Sequence, residues 1–359
     1  MKKVFKLVGI IALVAVIGFS FIACGGGDGG GGNDGGGKTP GGSDGGGTPA
    51  GPQWTPITQN VLGGPETWHG IKTIAYVNNI FIAGDTKGRM ATSTDGVTWT
   101  AVTQSVFSSD DSDPNSEDPI WAIAYGNNKF VAVGGDYRQR GKVAVSSDGV
   151  TWTAAARTGS FFNNSVSAIA YGNGKFVAAA SDRLATSPDG ETWTDIPMQY
   201  NGSGIRAIAY GDGKFVASNG NGEYSISYDG ETWSGVFVPL AGSSYINTIV
   251  YGGAAGQEKF FAGCQGKIAY STEDWNGMHW TAVTPSGFES ANIYAIAYGN
   301  NKFVASSGGI TAYSTDGAAW PSVTYNIFGD YADVSAIAYG NGKFVAGGQY
   351  GKMAYLINN

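Results

Sequence analysis

Along most of the chain, apolar and polar positions alternate with a period of two, in short runs broken by Gly, Asn and Asp. That period belongs to the pleated strand, whose successive side chains face opposite sides; a helix repeats every ~3.6 residues. The clearest run is a hexad, "[IV]-x-[AT]-I-[AV]-Y", which ends on Tyr76, Tyr125, Tyr171, Tyr210, Tyr251, Tyr298 and Tyr339. A short turn follows each hexad, such as Asn173-Gly174, Asp212-Gly213 or Asn341-Gly342. These pairs tolerate the positive φ angles of tight hairpins. A second run of the type "KFVA" follows the turn, so each hexad and its successor predict two antiparallel strands. A third run ("GKVAVS", "KIAYS") and a fourth ("TWTAV") complete the unit. No segment of this region predicts a helix of useful length.

The seven hexads are spaced 39 to 49 residues apart. Four short strands at that spacing describe one blade of a β-propeller. A lone blade cannot bury both its faces, whereas in a ring each face covers its neighbour's. The sequence therefore predicts an all-β, seven-bladed propeller of four-stranded blades. The seventh unit, "AIAYGNGKFVAGGQYGKMAYLINN", stops where its fourth strand should begin. An orphan fourth strand lies at the other end, where Trp54-Thr55-Pro56-Ile57-Thr58 matches Trp99-Thr100-Ala101-Val102-Thr103. Trp54 thus marks the strand expected to pair with residues 352–357 and close the ring. Residues 54–359 form a single expected domain.

Between third and fourth strands a turn recurs: Ser93-Thr94-Asp95-Gly96-Val97-Thr98-Trp99, then 146–152, 187–193, 227–233 and 314–320, with a degenerate copy at 271–280. It resembles the Asp box, or BNR repeat, of sialidases, sortilin-type receptors and photosystem II assembly-factor propellers. The turn here is one residue shorter between Asp and Trp. The resemblance implies a propeller with these turns on the rim away from the ligand face. Locally, the Asp accepts backbone N–H bonds, the Gly takes a conformation other residues avoid, and the Trp buries a large ring between blades. Asp95, Asp148, Asp189, Asp229 and Asp316, with Trp99, Trp152, Trp193, Trp233 and Trp320, are therefore read as structural rather than catalytic.

Charge narrows the partners. The chain carries −7, and losing Lys2, Lys3 and Lys6 with a leader takes it to −10. An acidic chain with only 14% charged residues argues against nucleic acid as a partner. The lysines precede "LVGIIALVAVIGFSFIA", the pattern of a secretory signal over residues 1–23. Phe21-Ile22-Ala23-Cys24 resembles a bacterial lipobox, with Phe in place of the usual Leu. The resemblance implies a lipid on Cys24, a membrane anchor, and a place in the cell envelope, at the outer membrane or cell surface of a bacterium. Residues 24–53 are nearly all Gly, Asp, Ser, Thr and Pro, a flexible tether spanning roughly 30 Å. Within it, residues 32–39 fit the Walker A pattern by letter, but glycines precede the match and Pro40 follows it. A phosphate loop needs a strand before and a helix after, so the match carries no nucleotide site.

With Cys24 lipidated, Cys264 has no partner and reads as a small buried residue; His69 and His279 are too few for a metal cluster. Neither metal nor cofactor is expected. Two loops carry candidate chemistry. Residues 104–119 hold Asp110, Asp111, Asp113, Glu117 and Asp118, enough oxygen for calcium but with Pro114 and without EF-hand spacing, so a solvated acidic loop is the competing reading. Residues 134–142 carry Tyr137, Arg138, Arg140 and Lys142, a basic cluster or plain exposed hairpin charge. The second hexad position varies most: Lys72, Trp121, Ser167, Arg206, Asn247, Tyr294 and Ser335. These residues either ring the mouth of the central channel as a recognition site or fill gaps between blades.

The expected function is a non-catalytic, envelope-tethered binding module for a protein, peptide or glycan, monomeric as a propeller. Two alternatives stand beside it. A periplasmic assembly scaffold differs from the first in partner only. A sialidase-type glycosidase would resemble a three-Arg clamp with a Tyr nucleophile. The arginines here are Arg89, Arg138, Arg140, Arg157, Arg183 and Arg206, with none in the final three blades and no "RIP" motif.

Overall fold

The computed structural model describes residues 52–357 apart from 60–61, 63–69, 104–105, 108–117, 136–140, 157–158, 182, 197–203, 235–244, 275–276, 290 and 329–331. The hexads form the first strands of seven antiparallel sheets, called blades 1 to 7: Ile71–Val77, Ile120–Gly126, Val166–Gly172, Ile205–Gly211, Ile246–Gly252, Ile293–Gly299 and Val334–Gly340. Each first strand touches the first strands of both neighbouring blades, and that of blade 7 touches that of blade 1. The ring is closed. Six blades show four strands; among the described residues blade 4 shows three.

The predicted closure is present. Thr55–Ile57 pairs antiparallel with Met353–Ile357 as the outer strand of blade 7, Thr55 opposite Tyr355 and Ile57 opposite Met353. Trp54 Nε1 donates to the Tyr313 hydroxyl of blade 6, so the segment is pinned to the neighbouring blade as well.

Why these residues make these strands is visible at the turns. Asn173 and Gly174 adopt φ of 47° and 77°, and the Asn-Asn pairs 78–79, 127–128 and 300–301 are likewise left-handed at both positions. This is the two-residue hairpin whose twist matches that of the strands. The second strand then places a Phe in the core of every blade: Phe81, Phe130, Phe176, Phe215, Phe260, Phe303 and Phe344 are each at most 1% exposed. Burying each contributes about 1.5–3 kcal/mol. The hexad Tyr of the same blade packs on it at 4.4–4.9 Å between ring centroids.

The core lies between blades rather than within them. Trp152 of blade 2 sits with Ile82 and Met90 of blade 1, and Trp320 of blade 6 sits with Phe261 and Ile268 of blade 5. Trp99, Trp152, Trp193 and Trp320 are buried, and Trp233 is half-buried. Blade 5 departs from the Asp turn, its third and fourth strands continuing the ladder past that place. Ile268–Asp274 pairs with Gly277–Val283 out to Asp274 opposite Gly277. "STEDWNGMHW" lacks Gly directly after Asp, so the tight turn has no residue for its left-handed position.

Candidate functional site

Antiparallel order places the turns between strands 1 and 2 and between strands 3 and 4 on one face of the ring. The turns between strands 2 and 3, and the connections between blades, fall on the other.

The first face is locked. In the Asp turns, Asp148 Oδ1 accepts the backbone N–H groups of Val150 and Thr151 at 2.8 and 2.7 Å, and Asp95, Asp189, Asp229 and Asp316 do the same in theirs. The N–H of Thr151, then that of Val150, hold the Asp148 carboxyl down at about 2. Burial opposes the shift at Asp95, but the N–H bonds from Thr98 and Val97 bring it to about 2 as well. The hairpin turn of one blade also reaches the next. Asn127 Nδ2 donates to the Pro188 carbonyl at 2.7 Å while its Oδ1 accepts the Tyr171 hydroxyl at 2.6 Å. Asn173 repeats this with Tyr228 and Tyr210. Lys129 pairs with Glu191 across the same joint, and Lys175 with Glu231. A cleft of about 430 Å³ opens here, lined by Lys175, Asp195, Ile196 and Glu231, but that ion pair spans it.

The second face carries the variable hexad position, and its backbone explains why. In every blade the register slips between hexad positions 1 and 3, from Ile71/Thr73 to Val334/Ala336. Position 2 is therefore the unpaired residue of a β-bulge, a device that re-aims a side chain. Five of the bulge side chains touch the next blade. Lys72 Nζ lies 5.9 Å from the centre of the Trp121 ring, and Trp121 Nε1 donates to Ser165 Oγ at 2.9 Å. Ser167 Oγ donates to the Ile205 carbonyl at 2.8 Å, and Ser335 Oγ to that of Ile71. Arg206 Nη1 reaches Asn247 Oδ1 at 3.5 Å, and its guanidinium lies 5.1 Å from the centre of the Tyr245 ring. Trp121 and Asn247 are buried; Lys72, Ser167, Arg206, Tyr294 and Ser335 are half-buried. These contacts fill gaps between blades on the second face, where Tyr245 and Tyr350 are exposed.

Burial lowers the Arg206 pKa from its ordinary value, with Tyr245 opposing. Burial raises that of Asp333, with Lys72 opposing. Asp333 Oδ2 also accepts from Gln349 Nε2 at 2.9 Å. Tyr245, Asp333 and Gln349 were not legible as neighbours of the bulge residues; the signal was that Tyr245 and Asp333 each directly precede a hexad. Asp118 and Lys142, read as parts of separate acidic and basic loops, form one ion pair at 2.8 Å, with Asp118 buried. Arg89 pairs with Asp85 at 2.6 Å, and Arg183 donates to Ser160. Tyr137, Arg138, Arg140, Arg157, Cys24 and the acidic residues 110–117 lie outside the described residues. Among the described residues no cluster of three His, Cys, Asp or Glu could hold a metal, and no helix is long and apolar enough to cross a membrane.

Residues 105–263 match the family model described as the DUF6242 beta propeller domain. No curated protein matches the chain. Among solved structures, YCF48 from Cyanidioschyzon merolae is similar at 13% identity and a TM-score of 0.63, over 85% of this chain and 98% of that one. A YCF48 bound to D1 peptide is similar at 16% identity and a TM-score of 0.64, over 86% of this chain and 98% of that one. A catalytically inactive variant of virginiamycin B lyase from Staphylococcus aureus, solved with quinupristin, is similar at 13% identity and a TM-score of 0.67, over 86% of this chain and 99% of that one. At these identities the likeness shows the fold alone. It also corrects the expectation that the chain is not an enzyme: a lyase shares the same scaffold, so that exclusion does not stand. The chain is a seven-bladed β-propeller, a scaffold that similar structures present with a bound peptide and as an enzyme.

Proposed function

We propose that the chain is a binding propeller that holds an extended peptide or protein segment across the bulge face. The observation that carries this is the bulge ring. One unpaired residue per blade, different in almost every copy, is re-aimed at one end of an otherwise repetitive frame. Cationic and aromatic side chains collect there, and both suit peptide recognition. That a similar propeller was solved with a peptide supports the reading by analogy of fold. We also propose, from the leader, Cys24 and the Gly-rich stretch, that a lipid tethers the propeller to the bacterial envelope. Protease shaving of intact cells tests that placement: loss of the propeller puts it at the surface, and protection until permeabilisation puts it in the periplasm.

The binding reading is tested with the full chain and a displayed library of random 15-residue peptides. Selected peptides are expected to lose at least tenfold in affinity on Lys72→Glu or Tyr294→Ala. They are expected to keep it on Tyr228→Ala, on the opposite face. Peptides that ignore both mouth substitutions would overturn the assignment.

A further inference from the structure

Arg206 and Asn247 are the bulge residues of adjacent blades, side by side at the mouth. The guanidinium carbon of Arg206 lies over the Tyr245 ring, 5.1 Å from its centre. The ring face attracts the cation and limits its freedom. Beneath it Asn247 is fully buried, and its Nδ2 meets no hydrogen-bond acceptor in the structure. Buried donors in native proteins are met by protein, water or a bound group, so an orphaned one marks an incomplete site. A guanidinium and an amide NH₂ can only donate. Their complement is a group that only accepts, and a carboxylate offers two oxygens to such a fork. Its negative charge would also offset the desolvation of the cation.

We propose that Arg206, held by Tyr245 and Asn247, is a carboxylate-binding subsite that takes either the free C-terminus of a peptide or an Asp or Glu side chain. One oxygen meets the guanidinium edge. The other, or a water it carries inward, meets Asn247 Nδ2. The inference rests on the peptide-binding reading above and names the chemistry of that ligand.

Three pools of random 12-residue peptides test it on the full chain: free C-terminus without Asp or Glu, amidated without Asp or Glu, and amidated with them. The wild type is expected to retain one or both carboxylate-bearing pools at least tenfold over the neutral pool. Preference for the first identifies a chain end, and preference for the third a side chain. Arg206→Gln is expected to erase the preference, and Lys175→Gln, on the opposite face, to leave it intact. Equal binding of all pools, or a preference that survives Arg206→Gln, overturns the subsite and leaves the peptide reading standing. If no pool binds, the peptide reading fails, and the subsite is judged by titrating N-acetylglycine while following the Arg206 ¹⁵Nε resonance. A saturable shift absent with N-acetylglycinamide supports the subsite; its absence overturns it.

Discussion

The residue that most tightly constrains the ring is the glycine that follows six of the seven hexads. A Cβ built on Gly172 would sit 2.1 Å from the Tyr210 ring of the next blade, and Gly126, Gly211, Gly299 and Gly340 meet Tyr171, Tyr251, Tyr339 and Tyr76 as closely. The backbone at Gly172 is ordinary; only space requires glycine there. Gly172→Ala is therefore expected to destabilise by about 1–3 kcal/mol through overpacking. Pairing it with Tyr210→Leu should recover part of the loss. Urea unfolding of the two variants checks this, and an unchanged midpoint for Gly172→Ala would refute the contact. The recurring "Y-G" was visible in the sequence, but what the Gly makes room for was not, because the ring it admits comes from a blade some forty residues away. Val77 takes this place in blade 1 and is buried, and a Cβ on Gly252 would stand 3.0 Å from Tyr298, so two joints of the seven are packed differently.

At the scale of the element, closure depends on three paired residues, one indole and the Gln59 amide, which donates to the Trp99 carbonyl and accepts its backbone N–H. Trp54→Ala removes the bond to Tyr313 and half-buried apolar surface against blade 6. A cost of about 1–3 kcal/mol is expected. Tyr313→Phe, which removes that acceptor and the hydroxyl's bond with Thr311 Oγ1 at 2.8 Å, should cost about 1–2 kcal/mol. The two losses should not add, since they share one contact. Unfolding midpoints of the single and double variants decide this. Trp54-Thr55 revealed that strand in advance because its match to Trp99-Thr100 is direct. The bulge was harder to foresee. A hexad reads as six regular strand positions, and only the variability of position 2 hinted that one of them leaves the ladder. The blade 5 hairpin and the placing of Arg206 over Tyr245 depend on turn geometry and on contact between segments, which alternation does not encode.

For the molecule as a whole, five Asp turns around one face act together on stability. Each of these carboxyls has its pKa lowered in the fold. A lowered pKa contributes stability that is present above the unfolded value of about 3.9 and is lost as pH falls through the folded value. Asp85 and Asp333, raised by burial, act in the opposite sense but are fewer. The melting temperature is therefore expected to hold from pH 7 to about 5 and to drop between about 4 and 2. Asp148→Asn should make that drop shallower, as thermal melts across the range would reveal. A different consequence follows from where the chain enters the ring. Residues before 55 join blade 7 at the start of its outermost strand, the end that lies on the Asp-turn side of the ring. Anything attached there holds the disc by the rim of that face, with the bulge face pointing away from the attachment. A tug along that attachment falls first on a three-residue ladder and on Trp54, which makes the clasp of the ring its mechanical fuse.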